Sequence, residues 1–233
     1  MTSPILEVTH LTKAYRGRPA LRGLSLSLQP GQIVGLMGDN GSGKTTLLKI
    51  LAGVLADWEG TVSLADHAPG PVSKQLVSFL PDASFLPDSH RPADSISQFS
   101  RFFADFDEAK AREMVDFFGL PWDRSLKEMS KGMREKLQIS LAMSRRARIY
   151  LLDEPISGVD PASRDVILRG ILQNFAEDAL LVISTHLIQD VEQVVDSVVF
   201  LKDGQVFLEG AADDLRDAHG SSLDALFRKV YAS

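Results

Sequence analysis

The nine residues Gly38-Asp39-Asn40-Gly41-Ser42-Gly43-Lys44-Thr45-Thr46 fit the spacing G-x-x-x-x-G-K-[ST]. Glycines at 38, 41 and 43 let consecutive backbone N–H groups turn inward around a phosphate, at the positive end of the helix that follows. The Lys44 ammonium would neutralise phosphate oxygens, and the Thr45 hydroxyl is placed to ligate Mg²⁺. Further along, Asp153 and Glu154 end the apolar run "IYLL". Carboxylates at the C-terminal edge of a strand face the crevice where open α/β sheets bind ligands. Asp-Glu-Pro alone is as easily a solvated turn. Beside a phosphate loop, Asp153 suits the outer coordination of Mg²⁺, and Glu154 suits orienting or deprotonating a water. His186 directly follows the apolar run "LLVIST", where its imidazole would reach a terminal phosphate. In isolation it would equally be a cap for the next helix. His10, His67, His90 and His219 carry no ligand spacing and are expected to be surface or structural.

Holding these groups together takes a layered α/β framework. The opening "ILEVTHLTKAYRGRPALRGLSLSLQPGQ" alternates apolar and polar residues in short runs punctuated by Gly17 and Pro30-Gly31, which predicts antiparallel strands. "QIVGLMG" is a buried strand, and "KTTLLKILAGVL" is helical through Leu47, Leu48, Leu51 and Val54. Residues from Ser95 to about Arg148 read as helical, with "ISQFSRFFADF" and "AKAREMVDFFGL" amphipathic. "IYLLD" and "ALLVIST" have the length of buried parallel strands. Between them a helix starts with Asp160 as cap and Pro161 at its first position. "VVFLKDGQVFLEG" is a hairpin turning at Asp203-Gly204. The closing "DDLRDAHGSSLDALFRKVYAS" is expected to pack on the core as a helix.

The stretch "KEMSKGMREKLQISLAMSRR" poses a question of charge. Ser130 is a natural N-cap, but Lys131 and Arg134 lie in or near the first turn. The helix dipole already presents about half a positive charge there, and a cation costs a few tenths to about 1 kcal/mol. Either Glu128 and Glu135 offset the field, or an anion arrives from elsewhere.

A chain of 233 residues with 44% hydrophobic and 24% charged residues has the make-up of an ordinary globular protein with ample core. Its net charge of −6 argues against a non-specific nucleic-acid binder. Without cysteine there is neither a disulfide framework nor a thiolate metal site. "MTSPILEVTH" has no signal-peptide pattern. No apolar run approaches the roughly 20 residues that span a bilayer, so any membrane role is expected to come through a partner.

"GDNGSGKTT", "MSKGM", "IYLLDEP", "SGVD" and "ISTH" occur in the order seen in ATP-binding-cassette (ABC) ATPases, which the chain resembles from about residue 5 to 210. The resemblance implies a single ABC ATPase domain over residues 1–233. Its fold would be α/β: a P-loop NTPase (RecA-like) core, an N-terminal antiparallel β subdomain and an inserted α-helical subdomain at about 84–148. It implies ATP and Mg²⁺ as cofactors, and two cassettes closing head to tail around two ATP molecules as a homodimer or heterodimer. Tyr15 would stack on adenine, and residues Gly38 to Thr46 would hold the phosphates. His186 would be a switch histidine, and Asp160 would couple the two sites. Ser130 and Gly132, in "MSKGM", would touch the γ-phosphate across the interface. Two positions depart from the family pattern. Asp82 stands where a glutamine that contacts Mg²⁺ or the attacking water is expected, and Lys131 replaces a glycine.

The resemblance therefore implies an ATPase that powers a membrane transporter, with the permease on a separate chain. "SKGM" and the residues after it look most like cassettes of small bacterial exporters. Such a subunit is expected in the cytoplasm, on the inner face of the membrane, without nucleic acid. Phe99, Phe102, Phe103 and Phe106 would then line a groove for a permease helix; core packing is the more common role of such a stripe. An ABC-type ATPase of DNA repair or translation is the alternative, disfavoured by the single cassette, the missing coiled coil and the acidic balance. A third reading, a cassette that binds nucleotide without hydrolysing it, has Glu154 and His186 against it.

Overall fold

Alternation in the first thirty residues produces a strand pair, β1 (Leu6–Tyr15) and β2 (Arg18–Leu28), in the computed structural model, which describes residues 3–231. The next elements are β3 (Ile33–Met37), α1 (Lys44–Leu51), β4 (Glu59–Leu64), the one-turn α2 (Ser73–Leu76) and β5 (Val77–Leu80). A helical stretch comes next, with α3 (Pro92–Phe102), α4 (Glu108–Phe117), a 3₁₀ turn at Leu126–Glu128 and α5 (Lys131–Met143). The chain then returns to alternation: β6 (Ile149–Asp153), α6 (Pro161–Gln173), β7 (Leu180–Thr185), the short α7 (Ile188–Val191), β8 (Ser197–Lys202) and β9 (Gln205–Ala211). Two helices, α8 (Ala212–His219) and α9 (Leu223–Tyr231), complete the described chain. Ala232 and Ser233, part of the expected final helix, lie outside the described residues.

Two sheets result. The antiparallel one has order β2-β1-β4; the other has order β5-β6-β7-β3-β8-β9, parallel except for β9. Period-two alternation sends successive side chains of each parallel strand to opposite faces. Ile149, Leu151, Leu180 and Val182 join a core with Leu47, Leu48, Ile50 and Leu51 of α1 and with Leu6, Leu11, Leu21 and Leu24 of the antiparallel sheet. Tyr150, Leu152, Leu181 and Ile183 face the other way, onto Leu137, Leu141, Ile167 and Ile171 of α5 and α6. Burial on both faces explains why these strands read as unbroken apolar runs. The parallel order brings the C-terminal ends of β3, β5, β6 and β7 to one edge, where the candidate chemistry lies.

Several helix limits differ from expectation: the closing segment forms two helices broken at the left-handed Gly220, α4 and α5 end at Phe117 and Met143, and α1 and α3 are also shifted. α1 stops at Leu51 because Gly53 takes a left-handed φ of 65° and the Lys49 carbonyl accepts from the N–H groups of Val54 and Leu55. Val54 is thereby turned out, 64% exposed. α3 starts at Pro92 rather than Ser95, with the Asp94 carboxylate accepting from Arg91 N at 2.9 Å, and it ends before the extended Phe103. "ADF" therefore lies outside the helix.

Arg145 joins the helical stretch to the sheet. Its guanidinium is 4% exposed and lies 4.1 Å from the centre of the Phe103 ring. It donates to both carboxylate oxygens of Asp105 at 3.0–3.1 Å and to the carbonyls of Lys74, Gln75 and Val77. Removing one partner of a buried pair leaves the others desolvated and unpaired, at a cost of about 3–5 kcal/mol. Arg145→Ala is accordingly expected to lower unfolding free energy by about that amount in denaturant titrations, whereas exposed Arg148→Ala should shift it by less than about 0.5 kcal/mol.

Candidate functional site

β3 ends at Met37, and the chain must reverse at once to start α1 at Lys44. Glycine makes that reversal possible. Gly41 and Gly43 hold φ values of 88° and 111°, and a Cβ on Gly43 would lie 2.8 Å from the Ala20 carbonyl oxygen. A Cβ on Gly38 would meet the Leu201 carbonyl oxygen at 2.6 Å. The loop is closed by Ser42 N donating to Asp39 O at 3.1 Å and pinned from outside by Gly204 N donating to Ser42 O at 3.0 Å. Asp39, Asn40 and Gly41 form its exposed rim. The Ser42 hydroxyl is buried without a partner.

Lys44 folds back over this loop. Its side chain is 5% exposed; Nζ donates to Gly38 O at 2.6 Å and Asp39 O at 3.2 Å and lies 3.6 Å from Glu154 Oε1. Burial pulls the lysine's pKa below its usual value, while Glu154, Asp153 and Asp39 act in the opposite sense. The ammonium is held by groups that a phosphate could replace.

Strand register supplies the acidic half. Asp153 on β6 stands beside Ser184 on β7. The Ser184 hydroxyl donates to Asp153 Oδ1 at 2.7 Å, and the Thr45 hydroxyl reaches the same oxygen at 3.2 Å. Asp153 Oδ2 is buried without a partner. An unpaired carboxylate oxygen beside a threonine hydroxyl and a phosphate loop fits a hard divalent cation with oxygen ligands. Asp82, two residues beyond β5, is exposed and shares a cavity lining with Asp153 and Glu154. Among the described residues, however, no three acidic or histidine side chains gather tightly enough to form a metal cluster.

Glu154 is held at φ 52°, a left-handed conformation that costs a non-glycine residue about 1–3 kcal/mol. Its N–H donates to both the carbonyl and the hydroxyl of Ser184, each at 3.1 Å. Its Oε2 lies 2.9 Å from His186 Nδ1, and His186 follows directly after β7. One carboxylate therefore bridges the lysine and the histidine. Tyr15, at the end of β1 and 44% exposed, shares the lining of a 300 Å³ cavity with Asn40, Gly41, Thr46, Asp82 and Glu154.

The remaining expected residues stand elsewhere. Ser130 caps α5, accepting from Met133 N at 3.3 Å, and Asp160 caps α6, accepting from Ser163 N at 3.0 Å. Lys131 lies 3.5 Å from Glu135 Oε1 and 3.5 Å from Ser157 O, over Gly158, where a Cβ would collide with it. Gly132 sits against Val159, 3.3 Å from a hypothetical Cβ. Arg134 turns away to Asp88 at 3.0 Å, and Glu128 bonds Ser125. Within one chain, then, the field at the start of α5 is offset locally, by Glu135 and Asp88 rather than by Glu128. Burial raises the Glu135 pKa; Lys131 opposes this and Asp82 adds to it. A second cavity, of 360 Å³, is lined by Asp82, Lys131, Arg134 and Glu135, but not by Tyr15 or Lys44.

Of the four phenylalanines, Phe99 packs 5.3 Å from Phe103 and 5.6 Å from Phe106, centre to centre, while Phe102 is 75% exposed. Phe85, Phe99, Phe103, Phe79, Val54 and Arg145 share a 320 Å³ groove. Sequence reasoning missed Ser184 and Arg145. The polar "ST" ending an otherwise apolar run was the one available signal for Ser184.

Comparison with known proteins agrees with this geometry. The family model described as "ABC transporter" matches residues 21–157, more than half the chain. The ABC transporter ATP-binding protein YtrB of Bacillus subtilis (strain 168) is 28% identical over 92% of this chain and 75% of its own length. NatA of the same organism, another ABC transporter ATP-binding protein, is 29% identical over 87% of this chain and 86% of its own. The Nod factor export ATP-binding protein I of Burkholderia orbicola (strain AU 1054) is 29% identical over 88% and 70%, respectively. A solved ATP-binding subunit of an ABC transporter superposes with a TM-score of 0.85 at 26% identity, covering 97% of this chain and 98% of that one. With the phosphate loop, the carboxylate pair and the strand-end histidine brought to one edge of the sheet, these likenesses lead to one conclusion: the chain belongs to the ABC transporter family, as an ATP-binding subunit that hydrolyses ATP.

Proposed function

We propose that this subunit powers an exporter by closing head to tail on a second cassette, identical or related, with ATP between them. The reading rests on one observation. The cavity holding Tyr15, Lys44 and Glu154 includes none of Ser130, Lys131 and Gly132 at the capped start of α5, and Asp82 is the one residue it shares with the cavity beside Lys131. Each is half of a nucleotide site. Export is favoured because the relatives include a protein named for Nod factor export, of which the match covers 70%.

In this scheme Tyr15 stacks on adenine, and the N–H groups of Asp39, Asn40, Gly41 and Gly43 surround the β- and γ-phosphates, with Ser42 N closing the loop on Asp39 O. Lys44 leaves the Gly38 carbonyl and Glu154 for the phosphate oxygens. Thr45 and Asp153 Oδ2 would hold Mg²⁺, with Asp82 further out; when bound, the ion neutralises charge on the phosphoryl oxygens. Glu154, freed from Lys44, accepts a proton from a water whose oxygen attacks the γ-phosphorus, and the bond to the β-phosphate oxygen breaks to release ADP. His186 steadies the γ-phosphate. Thr46 supports the cradle from α1, and Asp160 carries closure at one site to the other.

The groove of Val54, Phe79, Phe85, Phe99, Phe103 and Arg145 suits a cytoplasmic helix of a permease on a separate chain. Residues 84–148 would then be the part of the cassette that faces it. No helix among the described residues is long and apolar enough to cross a membrane, in keeping with a spanning partner. The cassette itself would sit in the cytoplasm.

Two measurements test the scheme. Glu154→Gln should keep ATP affinity while hydrolysis by the permease complex falls about 10²–10⁴-fold, the usual worth of a general base; near-normal turnover would remove Glu154 from that role. In the Glu154→Gln background, Lys131→Glu should leave ATP affinity of the monomer unchanged but require much more ATP for dimerisation in sedimentation. An unshifted monomer–dimer midpoint would mean that Lys131 faces water in the closed state.

A further inference from the structure

Lys13 is a buried cation outside every motif discussed above. It lies on β1 two residues before Tyr15 and is only 8% exposed. Its Nζ donates to Ala56 O at 2.8 Å and to Asp57 O at 2.7 Å. Those carbonyls belong to the segment that leaves α1, and Asp57 adopts a left-handed φ of 56° there. The same Nζ is 5.5 Å from the centre of the Tyr15 ring, within the range of a cation–π contact. Tyr15 lines the 300 Å³ cavity beside the phosphate loop, whereas Lys13 does not. The ammonium is thus a neighbour of the ring without being part of the cavity wall.

We propose that Lys13 is a positioning residue for the purine base of ATP, acting through the Tyr15 ring. This rests on the reading of Tyr15 as the base platform. Two effects act together. The ammonium holds the ring by its π face, so the ring enters the cavity wall already oriented, and less side-chain freedom is lost when a base stacks on it. The two carbonyl bonds also tie β1 to the segment that follows α1, whose first residue is Lys44. They fix the spacing between the base platform and the phosphate loop. The loop itself has independent supports, the Gly204 N to Ser42 O bond and the close packing of Gly43 on Ala20. Loss of Lys13 therefore displaces the base end and leaves the phosphate end in place.

Calorimetric titration of the full chain with ATP and, separately, with inorganic tripolyphosphate separates the two ends. Lys13→Met, which keeps the apolar stem, should raise the Kd for ATP about five- to ten-fold, while the tripolyphosphate Kd stays within about two-fold. Lys13→Arg should bind both ligands like the wild type. Placed on a Tyr15→Leu background, Lys13→Met should add little to the loss that Tyr15→Leu causes alone. Equal weakening of ATP and tripolyphosphate would reduce Lys13 to a structural tether, and an unchanged ATP affinity would also overturn the proposal. Should Lys13→Met fail to fold, Lys13→Gln retains a donor for the carbonyls without the charge and is judged by the same two ligands. If Tyr15→Leu alone leaves ATP affinity unchanged, the base-platform reading fails, and the role of Lys13 falls with it; an effect of Tyr15→Leu without one of Lys13→Met overturns the inference alone.

Discussion

A lysine ammonium 5% exposed to solvent cannot stand without partners, and the arrangement at the edge of the sheet follows from providing them for Lys44. Two partners are carbonyls of the Gly38–Asp39 turn, so the loop must close tightly, and glycine is required where a Cβ would strike Ala20 or Leu201. The third is Glu154, which reaches the ammonium from a backbone conformation that few non-glycine residues adopt. Two hydrogen bonds from its N–H to Ser184 keep it there. The strain is held by a strand neighbour whose register also places a hydroxyl on Asp153. One buried charge thus ties the phosphate loop to Glu154, and Ser184 ties Glu154 to Asp153, before any ligand arrives.

Such a site is preorganised but occupied by its own groups. Lys44 and His186 both hold Glu154, so under the proposed mechanism the carboxylate would take a proton only after the lysine moved to phosphate. Burial weakens the lysine's hold on its proton, and the surrounding carboxylates offset this only in part. A triphosphate brings more negative charge than Glu154 offers, and it meets converging N–H groups as well. Under the proposed mechanism, exchange of partners would favour the nucleotide and release Glu154 in the same movement.

The sequence made legible those parts of the site that chemistry confines to fixed types and spacings. Gly38 to Thr46, Asp153, Glu154 and His186 were readable because a phosphate cradle and a strand-end carboxylate leave little choice of residue. The parallel strands were readable because both of their faces are buried. What could not be read depends on neighbours distant in the chain. Ser184 matters only through its register with Asp153, and Arg145 only because Asp105 and three carbonyls from residues 74–77 converge on it. The end of α1 was misplaced because one left-handed glycine overrode a continuing apolar period at Val54. Local pattern favoured the helix, but the turn geometry decided.

The two departures from the family pattern, Asp82 and Lys131, are far apart in sequence yet line one cavity, with Glu135 between them. A replaced glutamine has brought a negative charge, and a replaced glycine a positive one. Lys131 remains largely exposed although Glu135 is mostly buried, and solvent on the lysine side limits such a pair to about 1 kcal/mol or less. A γ-phosphate about 5 Å away, at an effective dielectric near 20, would attract the same ammonium by roughly 3 kcal/mol before desolvation. In the proposed head-to-tail dimer, the weakness of the pair within the chain would make Lys131 available to a partner. Gly158, which leaves room for the lysine stem, lets it rest against "SGVD" without being fixed there. Under the head-to-tail scheme, a helix that starts against its own dipole becomes an anion site whose charge is balanced on closure, with Glu135 holding the lysine until then.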